Sequence, residues 1–171
     1  MDPIVEAALK KWPNVPHCYG WLALDARGDW YMRDERIQRA GPFPKVKGSR
    51  IDHRKLLEFI GRNYAHDEHG AWFFQNGPQR VYVELEAAPW IWRVGPGGEL
   101  SSHTGLSATA GQCWLDENDR LFISTELGLG LVHSMDMHEA AAAVEQGLWA
   151  PGPGNHAELL NRHAVQLKPH P

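Results

Sequence analysis

His66 and His69 lie three residues apart with Asp67 and Glu68 between them. At that spacing on a helix end, two imidazoles can reach one metal ion. A site needs a third ligand, and His103, His133 and His138 are the distant candidates. Read as chemistry, the pair is the start of a metal-dependent or acid/base hydrolase. Read as structure, it is a solvated helix end whose protonated imidazoles the helix dipole favours. Glu84 and Glu86 alternate with Arg80 along one strand face, which suits an acid/base pair or, more commonly, cross-strand ion pairing. Ser101, Ser102, Ser107, Ser124 and Ser134 show no nucleophile elbow. Neither Cys18 nor Cys113 opens a helix beside a base, the setting that makes a reactive thiolate. Gly128-Leu129-Gly130 lacks the strand–turn–helix context of a phosphate loop. No cofactor and no metal are expected, with His66 and His69 as the candidates should a metal bind, and binding is favoured over catalysis.

The binding residues are aromatic and basic. Eight tryptophans stand at positions 12, 21, 30, 72, 90, 92, 114 and 149. Indole buries a large area yet needs a partner for its N–H, so tryptophan fills cores and also lines grooves. Aromatic walls with a few charged groups describe a small-molecule pocket. The expected ligand-binding set is Arg36, Arg39, Arg80, Tyr82, Trp90 and Trp92, for a small anionic or aromatic ligand, in a pocket between two α+β halves.

Charge is uneven. The net formal charge is −4, with residues 1–65 at +4 and residues 66–171 at −8. The basic excess peaks between Arg33 and Lys55. Such a stretch attracts an anion or forms a solvated loop face. The acidic whole argues against nucleic acid as a partner.

Several elements must position these residues. Asp2-Pro3 opens a short helix, with Asp as N-cap and Pro at the first helical position. Gly20–Met32 reads as a hairpin, and Arg36–Arg39 as a further short strand. Asp52 caps a helix over 52–64, where Leu56, Leu57, Phe59, Ile60 and Tyr64 form an apolar stripe. Ala71–Val94 reads as a three-stranded antiparallel meander turning at Asn76-Gly77-Pro78 and Ala87-Ala88-Pro89. Its middle strand alternates strictly: Val81, Val83 and Leu85 on one face; Arg80, Tyr82, Glu84 and Glu86 on the other. Gln112–Thr125 is a second hairpin, interrupted after Thr125 by Gly128-Leu129-Gly130. Asp136 with Glu139 makes a capping box for a helix over Met137–Gln146. Asn155 and Glu158 cap a last short helix, and the tail after Val165 is expected to fray.

The fold class is therefore α+β: antiparallel hairpins and meanders packed with a few helices. The two hairpins, Cys18-Tyr19-Gly20-Trp21-Leu22 with Trp30-Tyr31-Met32 and Cys113-Trp114-Leu115 with Leu121-Phe122-Ile123, bracket acidic turns, and a capped helix follows each. That pattern is a two-fold internal repeat. The 171 residues make one compact domain, with halves at 13–95 and 96–150 and a C-terminal extension at 151–171. Two cysteines without a leader-like start imply reduced thiols and a cytoplasmic protein. No run is apolar enough to span a membrane.

The run Gly28-Asp29-Trp30-Tyr31-Met32-Arg33, then Ile37-x-Arg39, the 56–60 helix and Ala71–Trp90 with its Asn76-Gly77-Pro78-Gln79-Arg80 core resemble a family of uncharacterised proteobacterial domain-of-unknown-function proteins. The resemblance runs from Trp12 to Trp149. For a more distant group it implies a two-part α+β fold with repeated hairpin–helix motifs and a role in ligand sensing or signalling. The leading expectation is a non-enzymatic small-molecule-binding or regulatory protein. Two other readings stay open: the hydrolase using His66 and His69, and a protein-interaction module acting as a homodimer or adaptor.

Overall fold

Strict alternation and a Gly77 turn set the frame of the first unit. In the computed structural model, which describes residues 1–171, β5 (Trp72–Asn76) and β6 (Gln79–Leu85) form a hairpin. Asn76 pairs with Gln79 across a turn where Gly77 takes φ 57°, a conformation that glycine adopts without strain. Met1–Asp25, Asp29–Glu86 and Gln166–Pro171 make up this unit; Ala26–Gly28 and Ala87–Val165 make up the second.

The first unit also holds α1 (Pro3–Lys11), β1 (Cys18–Leu24), β2 (Trp30–Met32), α2 (Glu35–Ala40), β3 (Ser49–Arg50), α3 (Arg54–Arg62) and β4 (Tyr64–His66). Its sheet runs β3-β2-β1-β6-β5-β4. β1 and β6 are parallel, and the other neighbours are antiparallel. Residues paired across a ladder share a face. Leu22, Met32, Val83, Val81 and Phe74 therefore share one face, and Ala23, Glu84, Tyr82 and Phe73 the other. Both faces are covered: Val83 and Leu85 are buried on the first, Tyr82 and Glu84 on the second. Glu84 faces the guanidinium of Arg33 at 3.8 Å, and Arg33 also donates to the carbonyls of Gly41 and Val46 at 2.6 and 3.3 Å.

Local chemistry moved several expected elements. Asp34 accepts from Ile37 N–H at 2.9 Å, so 35–40 is the helix α2 rather than a strand over Arg36–Arg39. α3 begins at Arg54, because His53 Nδ1 and not Asp52 accepts from Leu56 N–H, at 3.3 Å. Tyr64–His66 leaves the helix to pair with Phe74–Trp72 as β4. Asp2 does not cap α1: its carboxylate accepts from Arg62 Nε at 3.1 Å, and its N–H donates to Asn63 at 2.8 Å. The tail is tied down, with Gln166 N–H on Gly70 and Leu167 accepting from Leu85 N–H at 2.8 Å.

The second unit holds β7 (Trp90–Val94), β8 (Leu100–Ser102), β9 (Ser107–Ala108), β10 (Cys113–Leu115), β11 (Leu121–Thr125), β12 (Gly128–Val132), α4 (Met137–Glu145), β13 (Gly152–Pro153) and α5 (His156–Arg162). Its sheet runs β13-β10-β11-β12-β7-β8-β9, with β12·β7 and β10·β13 parallel. The expected meander over Ala71–Val94 is thus divided. β5 and β6 belong to the first sheet, while β7 pairs with β8 and β12 in the second. The 128–130 run is not an interruption but the start of β12, where Gly130 lies so close to the Trp92 indole that no Cβ fits. Asp136 precedes α4 without capping it; its carboxylate is held by Arg93 and by Val94 N–H. Asn155 does cap α5, accepting from Glu158 N–H at 3.2 Å.

The class is α+β, with two mixed sheets and five helices. No helix is long and apolar enough to cross a membrane.

Candidate functional site

The first sheet face meets α3 through Leu56, Phe59 and Ile60, residues at helical spacing. Phe59 packs edge-on to Phe74 with ring centroids 5.5 Å apart. The seam is not closed along its length. A hollow of about 250 Å³ remains, walled by Trp21, Leu22 and Met32 of the β1–β2 hairpin, by Phe74 and Val81 of β5–β6, and by Leu56 and Ile60 of α3. Ile51, Cys18 and Asn76 complete the lining, and no charged side chain joins it. Leu22, Ile60 and Phe74 are its buried floor, while Trp21, Met32 and Leu56 remain 38, 50 and 36% exposed at its rim. Burial pushes the Cys18 thiol up from its ordinary value, so it stays protonated and neutral at physiological pH. The hollow therefore suits a neutral, largely apolar molecule, with the Asn76 amide as a polar group at its edge.

A hollow of similar make lies in the second unit. It measures about 450 Å³ and is lined by Leu115 and Leu121 of the β10–β11 hairpin, by Met137, Ala140, Ala141, Val144 and Glu145 of α4, and by Pro151. Alanine on α4 leaves space that larger side chains would fill.

The other face of β6 carries two of the expected ligand-binding residues, and they touch. Arg80 donates to the Tyr82 hydroxyl at 3.3 Å, and that hydroxyl donates to Asp67 at 3.0 Å. Asp67 also accepts from the N–H groups of His69 and Ala71, at 2.9 and 3.0 Å. Burial works to raise the Asp67 pKa, but these three donors outweigh it and hold the carboxyl below its usual range. Burial pushes the Tyr82 hydroxyl up. The Arg80 guanidinium sits over Phe73 at 4.2 Å from the ring centroid, and Tyr19 stacks on Tyr82.

The remaining candidates stand elsewhere. Arg36 and Arg39 are exposed on α2, with Arg39 3.8 Å from Glu35. Trp90 and Trp92 belong to the second unit, are 4 and 0% exposed, and stack on each other at 6.1 Å. Their indole N–H groups donate to the carbonyls of Leu127 and Ile123. They pack as core in that sheet rather than as an open aromatic wall. His66 ends β4 with its ring against Trp72, and His69 faces Glu68 in the turn before β5. No group of three or more His, Cys, Asp or Glu side chains is arranged to hold a metal ion.

Sequence reasoning missed Tyr19, Phe73 and Asp67 around Arg80, and Trp21, Met32 and Leu56 around the hollow. The signal was Gly20. From Cys18 to Leu22 is four steps along β1, while their partners Val81 and Val83 are two steps apart on β6. The extra residues form a bulge with Gly20 at φ 83°. Bulges re-aim side chains; this one sets Tyr19 on Tyr82 and Trp21 at the hollow.

One solved structure agrees with this architecture. A crystal structure of a DUF1285 family protein from Silicibacter pomeroyi DSS-3 is similar at a TM-score of 0.51 and 14% identity, over 82% of this chain and 83% of that one. A second DUF1285 family protein, from Shewanella baltica OS155, gives a TM-score of 0.49 and 17% identity, over 71% of this chain and 91% of that one. At such identity the first likeness speaks for the fold alone. No curated protein matches the chain. The model of family DUF2944, described as a protein of unknown function (DUF2946), matches residues 1–169. Since that match spans nearly the whole length, the chain belongs to the DUF2944 family.

Proposed function

We propose that this protein is a non-enzymatic small-molecule-binding protein, acting in sensing or regulation, whose ligand is a neutral, flat, mainly apolar molecule held in the hollow beneath α3. The observation that carries the reading is the convergence of Trp21, Met32 and Leu56, three large apolar side chains left exposed, on one uncharged hollow of about 250 Å³. Exposed apolar side chains are ordinary when scattered and informative when they share a concave surface. The comparable hollow between hairpin and helix in the second unit supports the same reading, as does the repeat of hairpin–helix motifs expected from sequence.

Thermal-shift screening against neutral aromatic compounds tests it. A ligand at 100 times its Kd adds roughly 2.7 kcal/mol of stability. Trp21→Ala removes a wall of the hollow from a partly exposed site. Because Trp21 is only 38% exposed, the change should lower the unliganded melting temperature as well, and it should weaken binding about tenfold or more, because a fully buried large apolar contact is worth about 1.5–3 kcal/mol. A ligand bound equally well by wild type and Trp21→Ala places binding elsewhere.

A further inference from the structure

Four lysine and arginine side chains of this protein are withdrawn from full exposure: Arg33, Lys47, Arg80 and Arg120. Three of them face a carboxylate. Arg33 meets Glu84 at 3.8 Å, Lys47 meets Asp25 at 2.9 Å, and Arg120 meets Asp116 at 2.9 Å. Arg80 is the exception. Its single side-chain hydrogen bond is to the neutral Tyr82 hydroxyl, at 3.3 Å.

Withdrawing a cation from water without a counter-charge is costly, and proteins pair such groups. A guanidinium offers five N–H donors in a planar fork. One is used here, and the guanidinium carbon lies over the Phe73 ring, 4.2 Å from its centroid. Tyr82 itself is fixed. Its O–H donates to Asp67 at 3.0 Å, so the oxygen is left to accept from Arg80. The Asp67 charge is in turn shared among Tyr82 and two backbone N–H groups. The guanidinium is thus oriented by an aromatic platform and a neutral acceptor, with its remaining donors unspent.

We propose that this second face of β6 is a separate binding site for a small aryl oxyanion, whose carboxylate or phosphate group pairs with the open edge of Arg80. The planar fork of arginine matches both oxyanions with two parallel hydrogen bonds. The flat body of the ligand lies against the aromatic cluster that surrounds Arg80. Tyr19 stacks on Tyr82 at 4.7 Å, and His17 meets the same ring edge-on at 5.6 Å. Phe73 and Tyr82 are buried, so a ligand meets the cluster at its rim, where Tyr19 is half-buried and His17 exposed. This site is distinct from the hollow beneath α3, because Arg80 and Tyr82 lie on the opposite sheet face from Val81, which lines the hollow.

Nuclear magnetic resonance of the Arg80 Nε–H group in the full chain tests the proposal. The probes are benzoate, phenyl phosphate, inorganic phosphate and the neutral control benzyl alcohol. Benzoate or phenyl phosphate should shift the Arg80 resonance saturably, and inorganic phosphate should bind at least tenfold more weakly. Benzyl alcohol should leave Arg80 unmoved. Arg80→Gln should lose the anion at least tenfold while keeping any neutral ligand of the hollow, which separates the two sites. Should Arg80→Gln fail to fold, Tyr19→Leu keeps the cation, removes an aromatic wall, and should weaken the aryl anions more than inorganic phosphate. The proposal is overturned if neither aryl anion moves Arg80 at millimolar concentration, or if inorganic phosphate binds as tightly as phenyl phosphate.

Discussion

Tyr19 lies parallel to Tyr82, with ring centroids 4.7 Å apart and planes 8° from parallel. The two residues sit on neighbouring parallel strands, and the stack exists because β1 carries a bulge between Cys18 and Leu22. The same bulge brings Trp21 to the hollow on the opposite face. One local irregularity therefore serves both faces of the sheet.

Gly20 makes the bulge, and its φ of 83° is strained for any residue with a Cβ. A Cβ there would also stand 2.7 Å from Gln38 Oε1, pushing aside a side chain that donates to the Arg33 carbonyl at 2.8 Å. Gly20→Ala should cost about 1–2 kcal/mol, read as a lower urea midpoint at unchanged slope. A loss below about 0.5 kcal/mol, the usual scatter of surface changes, would show that the bulge does not need glycine.

Gly130 is more demanding. A Cβ there would overlap the Trp92 indole, which is fully buried and hydrogen-bonded to Ile123. Gly130→Ala should destabilise by about 3 kcal/mol, the upper range for overpacking. Trp92→Leu should be destabilising by itself, yet the double variant should fall well short of the sum of the two losses. Strict additivity in urea unfolding would show that the two positions do not compete for the same space.

Acid should weaken the protein through its paired carboxylates. The Arg93 hydrogen bonds hold the Asp136 carboxyl below its usual range against the effect of burial, with help from Val94 N–H. At Asp116 burial acts upward, but donors from Arg120 and Asn118 outweigh it. A carboxyl lowered in the folded state contributes stability above its unfolded pKa of about 3.9, and that stability fades as pH falls through the folded value. Unfolding free energy should stay level through neutral pH and drop below about pH 4. Because the Arg93 side chain is half-exposed, Asp136→Asn should cost only about 1 kcal/mol at neutral pH. It should also flatten the acid limb; an unchanged limb would assign the acid loss to other groups.

Much of this fold was legible along the chain. The Arg80–Glu86 alternation, the Asn76-Gly77 turn and the paired hairpins all follow from local periodicity and turn chemistry. What failed was partnership. Nothing in the Trp90–Val94 run says that it leaves β6 for β12, because sheet partners are chosen by distant segments. Asp52 and Asp136 look like caps, but His53 caps α3 and Arg93 claims Asp136. Arg80 and Tyr82 were expected together from their shared strand face, and they touch. Trp90 and Trp92 share a face as expected, but that face is closed. The hollow could not be read, since it depends on the bulge and on how α3 meets the sheet.

The four methionines allow the most direct test of the central claim. Met32 lines the hollow of the first unit and Met137 that of the second, while Met1 and Met135 are exposed and line neither. Carbon-13 methyl spectra of methionine-labelled protein, recorded while neutral aromatic ligands are added, should show a saturable ring-current shift at Met32. Met1 and Met135 should stay still, and Trp21→Ala should weaken the Met32 response about tenfold, as the loss of one well-buried contact requires. A ligand that stabilises the protein yet leaves the Met32 methyl unmoved, or moves all four methyls alike, would contradict a binding site beneath α3.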